Sequence, residues 1–451
     1  MTATALLAHR DALLTGDAGV VETAIQHLLQ PVGAALVEEA WCLQGQNRPC
    51  PAPPRCPRCE QAMRLVSANR PRHLTTVFGP DVCLRRPYYN CRQCRHGLAP
   101  ADTAWNLGPG QLSPAMTQIV AEAGGRLAFA EAAGMLQRML QVAVDDNTIE
   151  RTTESMGLTV EARAAIRAES PAPQVPPDPG SDILLLSADG GRVHAGGEWR
   201  EAKCALVAAL GLQTQVDSET GRSRLVVGDK RYVATITDSQ DFFSSRVRPL
   251  AEDFGLLHPR VSTLVVISDG GSWIEKGWRS LVLPHHVVLV DILDIHHLEE
   301  HLHACADAVF GEHTARAEAW ARKRSKQVRT QGPSPLIRAV NALKPRSPAA
   351  RDHVRRLRGY LQANSPRLDY PTYIAQGLPI GSGIVEAEVK TVVNQRAKRS
   401  GMRWSVPGAQ AVIAFRALLL SGRDRLDRFW ATHPQVDQPP ITMIPGSGRA
   451  A

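Results

Sequence analysis

Apolar positions recur at helical spacing from the N-terminus to about Leu43, with Leu28, Val32 and Leu36 on one stripe, so the chain is expected to open as helix. Asn47-Arg-Pro-Cys-Pro-Ala-Pro-Pro then breaks that pattern, because successive prolines remove backbone donors. Up to Pro100 the segments Leu74-Thr-Thr-Val-Phe and Val82-Cys-Leu-Arg-Arg-Pro-Tyr-Tyr read as short strands. Ser113-Pro-Ala-Met restarts helix, with serine as N-cap and proline in the first turn. Two more helices are expected over roughly 128–140 and 147–167. The break between them, Val142–Asp146, is either a helix-turn-helix or a plain connector. Ser170-Pro-Ala-Pro-Gln-Val-Pro-Pro-Asp-Pro-Gly reads as a linker.

Beyond the linker the apolar runs become continuous. Ile183-Leu-Leu-Leu-Ser-Ala, Cys204–Leu210, Leu225–Val227, Val233–Thr237, Leu264-Val-Val-Ile-Ser and Val287–Leu293 have the character of strands buried on both faces. Helices are expected over Asp241–Phe254, over the His-rich stretch after Leu293, across the basic region to about 375, after Gly381-Ser-Gly, and over Ala409–Leu420. The mixture predicts an α/β protein. No apolar run reaches the ~20 residues of a membrane span. The N-terminus also lacks the basic-then-apolar layout of a secretion signal. The expectation is a cytoplasmic protein with no membrane partner.

The 451 residues suffice for several domains, and 43% hydrophobic with 21% charged residues excludes wholesale disorder. The net charge of +8 is concentrated. Arg322 to Arg358 holds twelve Lys/Arg and one acid, Asp352, and Lys390 to Arg403 holds five and none. Such blocks attract phosphate polyanions, which favours nucleic acid as partner over an ordinary solvated surface.

Seven of the nine cysteines lie between Cys42 and Cys94. Cys56-Pro-Arg-Cys59 and Cys91-Arg-Gln-Cys94 each place two thiolates within reach of one ion, and together they complete a tetrahedral four-sulfur zinc site. The separation of the pairs is long for such a site, and a hairpin between them would absorb it. Two redox CxxC motifs are the competing reading, without the βαβ context that reading needs. Cys50 and Cys83 are read as buried thiols or substitute ligands.

Asp189 and Asp269 are each expected at the end of a strongly apolar strand, followed by Gly-Gly, and Glu386 is expected to open a helix after Gly381-Ser-Gly. Carboxylates held on rigid elements can bind two divalent ions for phosphoryl transfer. Turn chemistry is the alternative for either Asp alone. Glu388, two positions along the helix, faces away from Glu386.

The ordered blocks are the zinc knuckles, Ser187-Ala-Asp189-Gly-Gly, Glu198-Trp-Arg-Glu-Ala-Lys203, Ile267-Ser-Asp269-Gly-Gly-Ser-Trp-Ile274, Leu293-Asp-Ile-His-His-Leu298, Gly381-Ser-Gly-Ile-Val-Glu386 and Arg399-Ser-Gly-Met-Arg-Trp404. As a set they resemble the DDE transposases of bacterial insertion sequences, nearest the Kra-type group and more distantly the Mutator-like set. The resemblance covers about Cys56 to Trp430. It implies an RNase H-like mixed-sheet core with a helical insertion between the second Asp and the Glu. It also implies Asp189, Asp269 and Glu386 as the catalytic triad holding Mg²⁺ or Mn²⁺. Asp294-Ile-His-His297 matches a D-x-x-H signature, with Asp291 and His296 as competitors for its two positions.

His297-Leu-Glu-Glu300-His301 also spells an inverted zinc-peptidase pattern, a reading that gives no role to the basic blocks. Lys390, Arg399, Arg403, Arg322, Lys323 and Arg324 are the candidate phosphate contacts. Trp273, Trp278 and Trp404 are read as packing residues, with base stacking as the alternative. The expected function is a transposase acting on double-stranded DNA, both element ends and target, as a homodimer or larger, near the bacterial nucleoid. The alternatives are a non-catalytic zinc-ribbon DNA-binding regulator and a structure-selective nuclease. The expected organisation is an N-terminal helical region 1–48, a zinc-ribbon-like 49–108, a helical DNA-binding region 109–169, and the linker 170–182. Core parts 183–299 and 379–432 then flank a basic insertion 300–378, and a tail covers 433–451.

Overall fold

The computed structural model describes residues 9–44, 48–216, 223–237, 241–381 and 389–432. The tail 433–451 therefore lies outside the described residues. The chain divides into two compact units, one running to Ser155 and taking in the segment from Asp427, the other Met156–Leu426. The division falls inside a helix. The Pro-rich stretch 170–182, expected to separate domains, belongs wholly to the second unit.

In the first unit, helices α1 (Arg10–Thr15) and α2 (Ala18–Leu43) open the chain, and the Asp17 side chain caps α2 by accepting from the Val20 N–H. Leu28 is buried and Val32 half-buried, but Leu36 is exposed, so the predicted stripe covers only part of the helix. By length and composition alone α2 is long and apolar enough to cross a membrane. Polar residues such as Gln26, Gln30 and Glu38 interrupt its apolar run. Those polar residues have partners. Gln26 and Gln30 donate to the Met139 and Leu140 carbonyls at 3.0 and 2.6 Å, and the Glu38 carboxylate accepts from the Cys83 N–H.

Strands β1 (Arg64–Thr76) and β2 (Gly79–Asn90) form an antiparallel hairpin, with the short β3 (Gly97–Leu98) beside β2. The hairpin is longer than the predicted strands. Leu74–Phe78, expected as strand throughout, stops at Thr76 and turns at Val77-Phe78, where the Thr76 hydroxyl accepts from the Phe78 N–H. Helices α3 (Pro100–Ala104), α4 (Pro114–Arg126), α5 (Phe129–Leu140) and α6 (Asp146–Glu169) follow. Ser113 caps α4 as expected. Gln141, at φ 55°, ends α5, and Asp145 starts α6 by accepting from the Thr148 N–H and hydroxyl. Met116, Val120, Leu136, Val142 and Ile149 share one core.

The second unit is built on a five-stranded mixed sheet of order β6-β5-β4-β7-β8, with ranges β4 (Ile183–Ala195), β5 (Glu198–Val216), β6 (Ser223–Thr235), β7 (Thr263–Ser268) and β8 (Val288–Leu293). β4, β5 and β6 are antiparallel, and β4, β7 and β8 parallel. The two apolar runs at 225–227 and 233–237 are one strand, β6, rather than two. On one face Leu184, Leu186 and Ala188 pack with α7 (Arg248–Phe254) and α8 (Ser272–Arg279). On the other, Leu185 and Val193 pack with α9 (Ile295–Phe310), α10 (Ala315–Gln331), α11 (Pro333–Asn341), α12 (Pro348–Asn364), α13 (Tyr370–Ala375) and α14 (Val406–Leu419). Cover on both faces is why the strands read as unbroken apolar runs. The expected boundary at 300 cuts α9, which continues to Phe310.

Candidate metal centre and acidic site

Two places concentrate chemistry, one in each unit. In the first unit the knuckles at either end of the β1–β2 hairpin bring Cys56, Cys59, Cys91 and Cys94 together, with ligand atoms all within 4.8 Å of one another. The Cys56–Cys94 and Cys59–Cys91 sulfurs are 3.4 Å apart and Cys59–Cys94 3.6 Å. A tetrahedral zinc with ~2.3 Å bonds sets sulfur separations of about 3.8 Å, so the four thiols fit such an ion with small adjustment. The knuckles are built alike. The Cys56 and Cys91 carbonyls accept from the N–H groups of Glu60 and Arg95, and both of those residues adopt left-handed φ. The Cys94 N–H pulls the Cys91 thiol down to about 6 against its burial, favouring the thiolate a metal needs. Cys50 and Cys83 stand outside the cluster. None of the cysteines is in a disulfide, and the knuckles sit on a hairpin rather than in a βαβ unit.

In the second unit Asp189 does not end its strand. β4 continues through Gly190 and Gly191 to Ala195, paired with β5 throughout. Its pairing with β7 stops earlier, at Ser187↔Ile267. Asp189 and Asp269, each two residues further on, therefore leave the parallel ladder at the same level. β8 ends in register, at Ser268↔Leu293, so Asp294 joins the same rim. Burial, with the negative charges of Asp269 and Asp294, pushes the Asp189 carboxyl up to about 6, while His297 pulls it down. Turn chemistry accounts for part of Asp269, whose carboxylate accepts from the Gly271 N–H at 2.7 Å.

Asp294 is fully buried and caps α9 by accepting from the His296 N–H, which sets the histidines one turn in. Of the two histidines, His297 is the one whose charge bears on Asp189. His296 instead lies beside Gly381. Asp291 is engaged elsewhere, held by Arg367 at 2.8 Å. Glu386 and Glu388 lie outside the described residues. The described residues flanking them are Gly381, next to His296, and Val389, which packs on Gly191 so closely that a Cβ there would meet its side chain at 2.5 Å.

The helices inserted after α9 grip this rim. The Tyr360 hydroxyl donates to the Asp269 carbonyl at 2.9 Å, and the Tyr370 hydroxyl to the Leu293 carbonyl at 2.8 Å. The buried Arg367 guanidinium donates to Asp291, to the Ser268 hydroxyl at 2.6 Å and to Asn364 at 2.8 Å. Gly270 sits at φ +85° beside Asn364, a conformation that requires glycine there. The sequence reading missed these residues, because a Tyr or Arg inside a basic helical stretch looks like surface. Arg367→Leu is expected to lower the stability of the second unit by about 3–5 kcal/mol, since it strands a half-buried carboxylate. Thermal unfolding of the variant checks this, and an unchanged transition refutes it.

Among the described residues, no group of three His, Cys, Asp or Glu other than the four cysteines gathers at metal-ligand spacing. This includes His297, Glu300 and His301. The Glu300 side chain is 71% exposed, and the His301 ring stacks on Tyr360 with centroids 4.2 Å apart. The zinc-peptidase reading therefore has no site among them.

The candidate phosphate contacts differ in placement. Lys390 is exposed and lines an open cleft of about 660 Å³ with Asp189, Gly191, Asn394 and Lys398. Arg399 and Arg403 are exposed. Arg322 and Lys323 are exposed on α10, with Arg322 paired to Glu318, while Arg324 is half-buried over Trp320. Arg396, inside the second basic block, is fully buried over Trp404. Trp278 is buried, and Trp273 and Trp404 are half-buried, with the Lys203 ammonium 4.6 Å over the Trp273 ring. The chain matches no protein-family model and no curated protein.

Proposed function

We propose that this protein is a DNA transposase with an RNase H-like core, which cuts DNA at the ends of an insertion element and joins them to a target. The observation that carries the reading is the common rim where the parallel pairing of β4, β7 and β8 ends and Asp189, Asp269 and Asp294 stand just beyond it, beside a cleft lined by Lys390 and Lys398. The helices that follow the second Asp are compatible with the insertion this reading calls for. Burial, and after it the charges of Asp269 and Asp294, raise Asp189, and a bound cation would relieve both. When bound, a pair of Mg²⁺ or Mn²⁺ ions neutralises the attacking and leaving oxygens of a phosphodiester. Asp189, Asp269 and, in this proposal, Glu386 would hold them.

The chain's own groups position the reaction. Tyr360 and Arg367 fix the Asp269 loop, and Asp294 caps the helix that carries His297, whose charge acts on Asp189. Water attacks the phosphodiester and releases a 3′-hydroxyl, which then attacks target DNA by the same in-line displacement. The zinc knuckles are assigned a structural ion, and with the basic faces of α10 and α12 they are assigned to DNA backbone contacts, which position rather than read sequence. Joining two ends calls for at least a dimer on DNA.

The test is a labelled duplex carrying the sequences that flank the gene, incubated with Mg²⁺. Free 3′-hydroxyl ends and joined products are expected. Cutting without joining identifies a nuclease, and binding without either identifies a regulator.

A pH effect follows from Asp189. Its folded-state value near 6 lies above the ordinary 3.8, so the folded chain binds the extra proton between these values and stability falls as pH rises through that window. Without divalent ions, Asp189→Asn is therefore expected to melt higher than wild type at pH 7, by about 2–4 °C per kcal/mol recovered. Equal midpoints above pH 6 would contradict this.

A further inference from the structure

The β4–β5 hairpin turns through Gly196 and Gly197, both at positive φ, and carries Trp199 just past its tip. Of the eight tryptophans Trp199 alone is exposed, at 58%. Its neighbours leave ring surface open. His194 meets it edge-on with centroids 5.5 Å apart, and the Lys398 ammonium stands 5.9 Å from the ring centroid. The adjacent acid, Glu198, is paired with Arg200. From Lys398 the 660 Å³ cleft runs back past Asn394 and Lys390 to Asp189. One continuous track thus links an open aromatic ring, two lysines and the acidic rim.

We infer that Trp199 is a stacking platform for an unpaired or terminal base of the DNA strand entering the acidic site, with Lys398 and Lys390 along its phosphates. An isolated exposed aromatic is ordinary on a protein surface. This one has a cation beside it and a basic channel leading to carboxylates, the combination that binds single strands through their backbone and base faces. The ring cannot serve a continuous duplex, whose bases offer only edges. It requires a base whose face is free, at a strand end or flipped out. The inference rests on the reading of the rim as a DNA-cleaving site and names the form of strand that site takes.

The test uses a duplex with a short single-stranded overhang bearing 2-aminopurine, and its blunt counterpart. Wild type and Trp199→Phe are expected to quench the probe. Trp199→Ala is expected to leave it bright and to bind the overhang duplex about 10–100-fold more weakly, with blunt-duplex binding nearly unchanged. Lys398→Ala is expected to weaken binding of both. Because the Trp199 ring is exposed, all variants are expected to melt with wild type. Trp199→Ala that quenches and binds as wild type overturns the inference, whether or not the protein cuts. Quenching by a wild-type protein that never cuts overturns the transposase reading and leaves the platform standing.

Discussion

Asp269→Ala is expected to reduce DNA cutting at least about 10²–10³-fold while leaving DNA affinity within a few-fold of wild type. The substitution removes one carboxylate from the rim and one bond, to the Gly271 N–H. It leaves the loop in place, because Tyr360 grips the Asp269 backbone carbonyl rather than its side chain. The basic residues proposed to contact phosphate are on other elements. A gel that separates bound from free duplex and cut from intact strand reads both properties in one sample. Cutting at the wild-type rate by the variant removes Asp269 from the mechanism, and the proposed chemistry with it.

Stripping metal from the knuckles is expected to have the largest effect on folding. Structural zinc in small four-ligand sites contributes on the order of 10–16 kcal/mol of apparent binding free energy near neutral pH. Here the immediate apolar support of the site is small, with Met63 and Tyr89 buried beside the cysteines and Leu98 partly so. Cys91→Ser is the sharpest single change, because it removes the fully buried sulfur that the Cys94 N–H favours as thiolate. Elemental analysis is expected to find about one zinc per wild-type chain and none in the variant. The variant hairpin is expected to lose amide-exchange protection from Arg64 to Asn90. A metal-free wild-type protein that keeps this protection would falsify the assignment.

The sequence made some parts of the molecule readable through local chemistry. Ser113-Pro at the start of α4 and the CxxC pairs on either side of a hairpin are decided by neighbouring residues, and the structure has them as expected. Continuous apolar runs signalled strands covered on both faces, but they could not show where pairing ends. Asp189 was expected at a strand terminus because Gly-Gly follows it. Its position is set instead by the partner β7, which stops while β5 continues. The choice of Asp294 over Asp291 at the rim likewise depends on where β8 ends, at Leu293, which leaves Asp291 inside the strand as the partner of Arg367, far along the chain. The block Glu198–Lys203 carried part of the resemblance, but nothing in it showed that the Trp199 ring is exposed. Its exposure follows from a hairpin tip, and its relation to Lys398 is purely tertiary. The Pro-rich stretch had the composition of a linker, yet it runs along the second unit, where the Asp182 carbonyl accepts from the Ser262 and Thr263 N–H groups.

The grip of the inserted helices on the rim limits how far this protein can be miniaturised. α12 turns Val354, Leu357 and Leu361 inward and Arg351, Arg355 and Arg356 outward, carries Tyr360, which holds Asp269, and leads directly into Arg367, which holds Ser268. Excising the helices from α10 to α13 to obtain a smaller fragment would leave the Asp269 and Leu293 carbonyls without their tyrosine donors and expose the apolar sheet face beneath. A trimmed version must import replacements for Tyr360, Arg367 and Tyr370, so the shortest working form retains α12 and α13 even if α10 and α11 are dispensed with.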